Sequence, residues 1–193
     1  MKKWSPQFDA SALQVLSTER CYDGFFKLDR LTLKHATFDG GEVQVERELL
    51  VRRDAVCVLL FDPHNDVVVM VEQLRVGAYD HPRGPWMLEV VAGIVEDGET
   101  PEDVARREAM EESGVEVTEL IPITCYSPSP GGTRENIHLY CALIDSTGIG
   151  GVHGLHAEGE DILVHLLDSV SLFSMVREGI LNNAASIIAL QWL

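Results

Sequence analysis

The sequence predicts an α/β protein preceded by a small N-terminal antiparallel β-sheet. Three observations carry this. Residues 17–52 alternate apolar and polar side chains in part, around the hairpin signal Asp39-Gly40-Gly41. Ala55–Phe61 (AVCVLLF) and Val67–Glu72 (VVVMVE) are short continuous apolar runs joined by the polar turn DPHND, the pattern of buried strands. Residues 100–114 have the start and stop of a helix. Thr100 suits the N-cap, Pro101 the first helical position, Asp103 a capping-box partner and Gly114 the stop.

In chain order, Leu31, Leu33, Phe38, Val43 and Val45 supply the apolar side of the first sheet. Three such strands have little core of their own. They are expected to pack on the main domain or on a second subunit. The boundary falls near Arg53, which gives residues 1–53 as a β-sheet and dimerisation region and 54–193 as the main domain. The two apolar strands follow, then a polar stretch with Arg75, then the loop HPRGPW. Trp86 to Gly93 reads as one strand, in which Glu89 is an edge residue or a support for a site. After the helix, Val117–Cys125 is strand-like, residues 126–133 form a turn-rich loop, and Ile137–Ile144 returns as a strand. Residues 148–159 carry five glycines and suggest a mobile loop. Ile162–Leu167 is a further strand. Asp168 or Ser169 caps a helix stopped by Gly179, and Asn183 caps the last.

The chemistry concentrates on the 100–114 helix. Glu108, Glu111 and Glu112 stand at i, i+3 and i+4, so their carboxylates share one face. Like charges at these spacings destabilise a helix by about 0.2–0.5 kcal/mol per pair. Arg107 offsets part of that through an i, i+4 pair with Glu111. An ion that neutralises the arc is the functional explanation, and all-oxygen donors favour Mg2+, Mn2+ or Ca2+. A solvated acidic helix face is the plain one.

Composition narrows the function. The net charge of −16 and the lack of a basic patch exclude a nucleic-acid groove. No apolar run approaches the roughly 18 residues of a membrane span, and no signal peptide is expected. The cysteines Cys21, Cys57, Cys125 and Cys141 lack metal-ligand spacing, and reduced thiols in a cytoplasmic protein are the expectation.

The segment Gly93–Val115 resembles the Nudix box, G-x5-E-x7-R-E-U-x-E-E-x-G-U with U aliphatic. Gly93, Glu99, Arg107, Glu108, Ala109, Glu111, Glu112, Gly114 and Val115 fill its positions. The resemblance implies a Nudix α/β/α sandwich with a mixed sheet. It also implies hydrolysis of a nucleoside diphosphate linked to another group, with Mg2+ or, as a substitute, Mn2+. In those terms Glu108 and Glu112 are the principal metal ligands, the backbone carbonyl of Ala92 is another, and Arg107 orients the carboxylates. Bound cations would resolve the conflict between an anionic substrate and an acidic protein.

Further stretches resemble the ADP-ribose pyrophosphatases, particularly the bacterial dimeric enzymes. These are Gly24-Phe25-Phe26-Lys27-Leu28-Asp29, Glu72-Gln73-Leu74-Arg75, Ser129-Pro130-Gly131-Gly132, residues 154–161 and residues 182–193. Pro130 lies sixteen residues after Gly114, near the offset that marks this group. The resemblance implies ADP-ribose as substrate and a homodimer with an exchanged N-terminal sheet. Phe25 or Phe26 would stack on adenine, covered by Arg47 from the second copy, with Glu48 and Arg52 beside them. Arg75 would bind phosphate. Ile94, Ser129, Pro130, Gly131 and Glu135 would line the substrate site. Glu160 would join the metals, and Glu158 would serve as general base, with Glu111 the competing choice. Two alternatives stand: a broader nucleoside-diphosphate-sugar hydrolase, and a non-catalytic ADP-ribose sensor, which the intact box disfavours.

Overall fold

The computed structural model describes residues 3–193. The chain forms two compact units. The first ends at Arg52 and takes in Ser129–Glu135; the second holds residues 53–128 and 136–193.

In the first unit, β1 (Leu13–Asp23), β2 (Lys27–Ala36) and β3 (Glu42–Val51) form an antiparallel meander. The hairpin falls where Asp39-Gly40-Gly41 predicts it. Gly40 takes φ +91°, and the Gly41 N–H donates to Thr37 Oγ1 at 3.0 Å. A two-residue strand, β9 (Thr133–Arg134), extends this sheet in parallel beside β3. Every residue of β1 is exposed, including Leu13, Val15, Leu16 and Tyr22.

In the second unit, β4 (Ala55–Asp62) and β5 (Val67–Leu74) are antiparallel across the predicted turn. Asp62 closes it by accepting the His64 and Asn65 N–H groups. These strands pair only at the turn end, from Leu60–Val69 to Asp62–Val67. Beyond it they separate, and the segment expected as one strand enters the gap as two. β6 (Trp86–Glu89) pairs with β5, and β7 (Val91–Ile94) pairs with β4. The break at Val90 is where the chain changes partner strand. The Val90 N–H then belongs to neither ladder and donates to Ser186 Oγ at 3.0 Å.

The helix α1 spans Pro101–Ser113 with Thr100 as N-cap and Gly114 at φ +69°. The strand expected from Val117 begins only at Ile121, as β8 (Ile121–Tyr126). Val115 and Val117 are buried, but their segment is bonded to the helix instead of to a ladder. The Val115 N–H donates to the Ala109 carbonyl, and Arg106 to the Thr118 carbonyl. β10 (Ile137–Leu143) lies parallel to β4 and antiparallel to β8. The glycine-rich stretch is less irregular than expected: it contains β11 (Gly151–His153), which pairs with β12 (Ile162–Asp168), and a 3-10 turn at His156–Glu158. α2 (Ser169–Arg177) and α3 (Ala184–Trp192) are capped by Asp168 and Asn183.

The sheet order is β11-β12-β5-β4-β10-β8, with mixed directions. Val56, Val58 and Leu60 of β4 pack with Val104, Ala105 and Ala109 of α1 on one face. Cys57 and Leu59 pack with Leu172, Ala189 and Leu190 of α2 and α3 on the other. This is the α/β/α sandwich expected, and covering both faces explains why β4 reads as an unbroken apolar run. Among the described residues no helix is long and apolar enough to cross a membrane.

Candidate active site

The site is built where α1 lies over β5 and β7. The pleat puts Val71 and Gln73 of β5 on the α1 face, with Glu89 opposite Val71. Glu112 reaches down from the helix and is 2% exposed. Its Oε2 accepts the Ala92 N–H at 3.0 Å and its Oε1 the Gln73 amide at 3.1 Å. Burial pushes its pKa up to about 8, although the Ala92 bond works against the rise. Glu108, one turn back, lies against Gly93; a Cβ there would overlap its carboxylate. Burial raises Glu108 to about 7, opposed by the Arg107 guanidinium and helped by the charges of Glu111 and Glu160.

Arg107 gathers the remaining charges. Its fork donates to both Glu99 oxygens at 3.0 and 3.2 Å, to Glu108 at 2.7 Å and to Glu111 at 3.1 Å. The predicted Arg107–Glu111 pair is therefore present, as one of three. The bond to Glu99 is the main reason the guanidinium is held above its usual range. Arg75, beside the end of β5, donates to Glu89 at 2.6 Å. Burial opposes its charge, but Glu89, and after it Glu112, more than compensate.

The glycine-rich stretch is tied to the end of α1 by the Gly154 N–H, which donates to the Glu111 carbonyl at 3.1 Å. Glu160 accepts the Leu155 N–H at 3.0 Å and lies against Gly154, the residue bonded to the end of α1, and its charge helps raise the pKa of Glu108. Glu158 ends the 3-10 turn and is exposed.

Among the described residues no three acidic, His or Cys side chains form a ready-made metal cage. The carboxylates point instead to Arg107, Gln73 and backbone N–H groups. The donor chemistry nevertheless fits a hard divalent cation. The donors are all oxygen, and they include the buried Glu112 and the half-buried Glu108, whose charges the protein only partly compensates.

Residues 51–173, well over half of the chain, match the NUDIX domain family model. The chain belongs to the Nudix family. Nudix hydrolases generally use divalent metal ions. The chain is 44% identical over 187 residues to the ADP-ribose pyrophosphatase of Escherichia coli (strain K12), covering 96% of this chain and 90% of that one. It is 44% identical over 190 residues to the ADP-ribose pyrophosphatase of Haemophilus influenzae, covering 96% and 88%. The GDP-mannose pyrophosphatase of Klebsiella pneumoniae is 32% identical over 186 residues, covering 94% and 91%. A solved structure described as an ADP compounds hydrolase superposes with a TM-score of 0.72 at 17% identity, covering 97% and 94%. That last likeness concerns the fold alone.

The second unit of this Nudix protein thus brings together Ala92, Arg107, Glu108, Glu111, Glu112 and Glu160, with Arg75 beside them. Ile94 ends β7 and is partly exposed. The first unit groups other predicted residues. Phe25 and Phe26 stand edge-to-face at 4.9 Å in the β1–β2 turn, and Phe25 is 83% exposed. Arg52 lies 4.9 Å from the Phe26 ring and pairs with the buried Glu135 at 3.0 Å. Ser129, Pro130 and Gly131 form the turn leading into β9, closed by the Thr133 N–H on the Ser129 carbonyl. Arg47 and Glu48 are consecutive in β3, so they point to opposite faces, and both are exposed. Sequence reasoning missed Gln73 and the partnership of Glu99 with Arg107. A polar residue within an apolar strand was the available signal for the first. The fixed glutamate of the box was the signal for the second.

Proposed function

We propose that the protein hydrolyses the diphosphate of ADP-ribose to AMP and ribose 5-phosphate, with Mg2+ as the preferred cation. The observation that carries this is the desolvated pair Glu108 and Glu112, set against Gly93 and the Ala92 N–H. The relatives named ADP-ribose pyrophosphatase support the choice of substrate.

Glu108, Glu112, the Ala92 carbonyl and Glu160 would hold the metal. A bound cation would withdraw charge from the phosphate oxygens and lower the pKa of a coordinated water. The chain's own residues do the rest. Arg107 keeps the carboxylates of Glu108 and Glu111 oriented through a single fork. Arg75 can contact phosphate through the N–H groups that Glu89 does not hold. Glu158 is the proposed general base, because its exposed carboxylate sits on a loop hinged by glycines and can accept a proton at its oxygens. Glu111 is the competing base, and its carboxylate is already engaged by Arg107 at 3.1 Å. Ser129, Pro130, Gly131 and Glu135 would shape the terminal ribose pocket.

We infer further that the protein is a homodimer with an exchanged N-terminal sheet. Phe25 or Phe26 would stack on adenine and Arg47 would come from the second copy, with Glu48 and Arg52 nearby. Stacking of this kind is worth about 1–3 kcal/mol. The fully exposed β1 and the 83% exposed Phe25 support this reading. Light scattering should give a dimer; an active, monodisperse monomer would remove the shared adenine site.

The likeness to GDP-mannose pyrophosphatase favours a second reading, a broader nucleoside-diphosphate-sugar hydrolase. Stacking discriminates bases poorly, so base contacts alone do not separate the two. Product analysis with ADP-ribose and GDP-mannose under Mg2+ decides. The first reading requires kcat/KM for ADP-ribose to exceed that for GDP-mannose; a tenfold preference for GDP-mannose sinks it.

A further inference from the structure

We propose that Gln73 is a positioning residue for the metal-binding carboxylate of Glu112. The inference rests on the reading of Glu108 and Glu112 as metal ligands.

Gln73 is 7% exposed and lies two residues after the core residue Val71 in β5, on the same α1-facing side. Burying an amide costs free energy unless its polar atoms are bonded. Its Nε2 donates to Glu112 Oε1 at 3.1 Å, while the Ala92 N–H donates to Oε2 at 3.0 Å. Each carboxylate oxygen therefore has one donor, and the two donors come from different strands, β5 and β7. Two bonds from fixed strands define the plane of the carboxylate and leave the other lone pair of each oxygen unused. A single bond from Ala92 would leave the carboxylate free to rotate about its last torsion, which is broad for glutamate.

The choice of amide is also informative. A lysine or arginine at this position would donate as well, but would compete with a cation for the carboxylate charge. Arg107 already plays that part for Glu108 and Glu111. The neutral Gln73 amide orients Glu112 and leaves its charge available. Glu112 is the box carboxylate that Arg107 does not touch among the ion pairs of this site.

The test is direct Mn2+ binding to the full chain, by calorimetry without substrate, for wild type, Gln73→Met and Gln73→Asn. Met keeps the volume and removes the donor. Asn keeps the amide and withdraws it by one methylene. Outer partners of metal ligands are worth about 10–100-fold in affinity. The expected result is at least tenfold weaker Mn2+ binding in each folded variant. kcat at limiting Mn2+ should fall and recover at high Mn2+, while KM for ADP-ribose stays within twofold. A merely structural Gln73 would lower Tm and leave the Mn2+ constant unchanged. Binding within threefold of wild type in the folded variants overturns the inference. Failure of the wild type to bind Mn2+ overturns instead the metal reading of Glu108 and Glu112.

Discussion

Glu108 packs directly on Gly93: a Cβ added to Gly93 would lie far inside van der Waals contact of the Glu108 carboxylate oxygen Oε1. The glycine is required by this close approach and not by its backbone conformation, since its φ lies outside the left-handed region. β7 thereby lets the carboxylate settle beside the backbone that also carries the Ala92 N–H.

Gly93→Ala tests that relationship. The intruding methyl displaces the far end of a flexible side chain, so the fold should tolerate it and Tm should move by only a few degrees. The site should not tolerate it, because a misplacement of about 1 Å can cost roughly 10²-fold in rate. We expect kcat/KM for ADP-ribose to fall at least tenfold under saturating Mg2+. Activity within twofold of wild type would mean that the position of Glu108 beside Gly93 is irrelevant to turnover.

The raised pKa values of Glu108 and Glu112 give the metal-free protein a distinctive pH profile. A carboxyl whose folded pKa lies above its unfolded value binds more protons in the folded state. Its stabilising contribution is complete below the unfolded pKa, near 4.5, and is lost as pH rises through about 7 for Glu108 and about 8 for Glu112. Metal-free protein should therefore become less stable from pH 5 to pH 8. Mg2+ should restore stability most at pH 8, because it binds the ionised form. Glu112→Gln removes the buried charge, and the Gln73 amide can turn to accept from the new one. This variant should melt higher than wild type at pH 8 without metal, with the gain vanishing near pH 5, while losing activity. Parallel melting curves for the two proteins across this range would contradict the burial assignment.

Arg107 tests whether geometry or charge organises the carboxylates. Its fork serves Glu99, Glu108 and Glu111 at once, which lysine's point charge cannot do. Arg107→Lys preserves the sum of charges and loses the bidentate bond to Glu99. We expect at least a tenfold fall in kcat with modest change in KM. A lysine variant with wild-type kcat would show that neutralisation alone suffices.

Much of this was legible in the sequence, and for stated reasons. Helix α1 was readable because Thr100, Pro101 and Gly114 act within a few residues of one another. The hairpin at Gly40 was equally local. The division of residues 86–94 between two strands was not legible, because it depends on how far β4 and β5 separate after Leu60 and Val69. Nor was the late start of β8: Val115 and Val117 alternate like a strand, yet their backbone bonds to α1. Within the site, the carboxylate arc followed from helical period alone. Glu89 was already readable as an edge residue or a support, but the partners of Gln73 and Glu89 required knowing which elements lie opposite each other. The association of Ser129–Glu135 with the first unit arises from the pairing of β9 with β3, across more than 80 residues of sequence.

Arg75 and Glu89 make the last test. The Arg75 guanidinium is bonded to Glu89 at 2.6 Å, on the α1 face of the sheet, and the Glu112 carboxylate adds to its stabilisation. Only the Nε–H is committed to Glu89, so the remaining N–H groups can reach phosphate, but the carboxylate offsets the guanidinium charge and so competes with an anionic substrate. Removing the arginine deletes a charge-assisted bond worth about 1.5–3 kcal/mol, and tenfold in affinity corresponds to about 1.4 kcal/mol. Arg75→Ala should therefore raise KM for ADP-ribose by about tenfold or more. Glu89→Gln should act in the opposite direction, because a neutral amide holds the guanidinium less firmly, and KM should fall. Steady-state kinetics on both variants decide the matter. If KM rises in both, Glu89 is a support that holds Arg75 in its working position; if neither moves KM, the pair is structural and phosphate is held elsewhere.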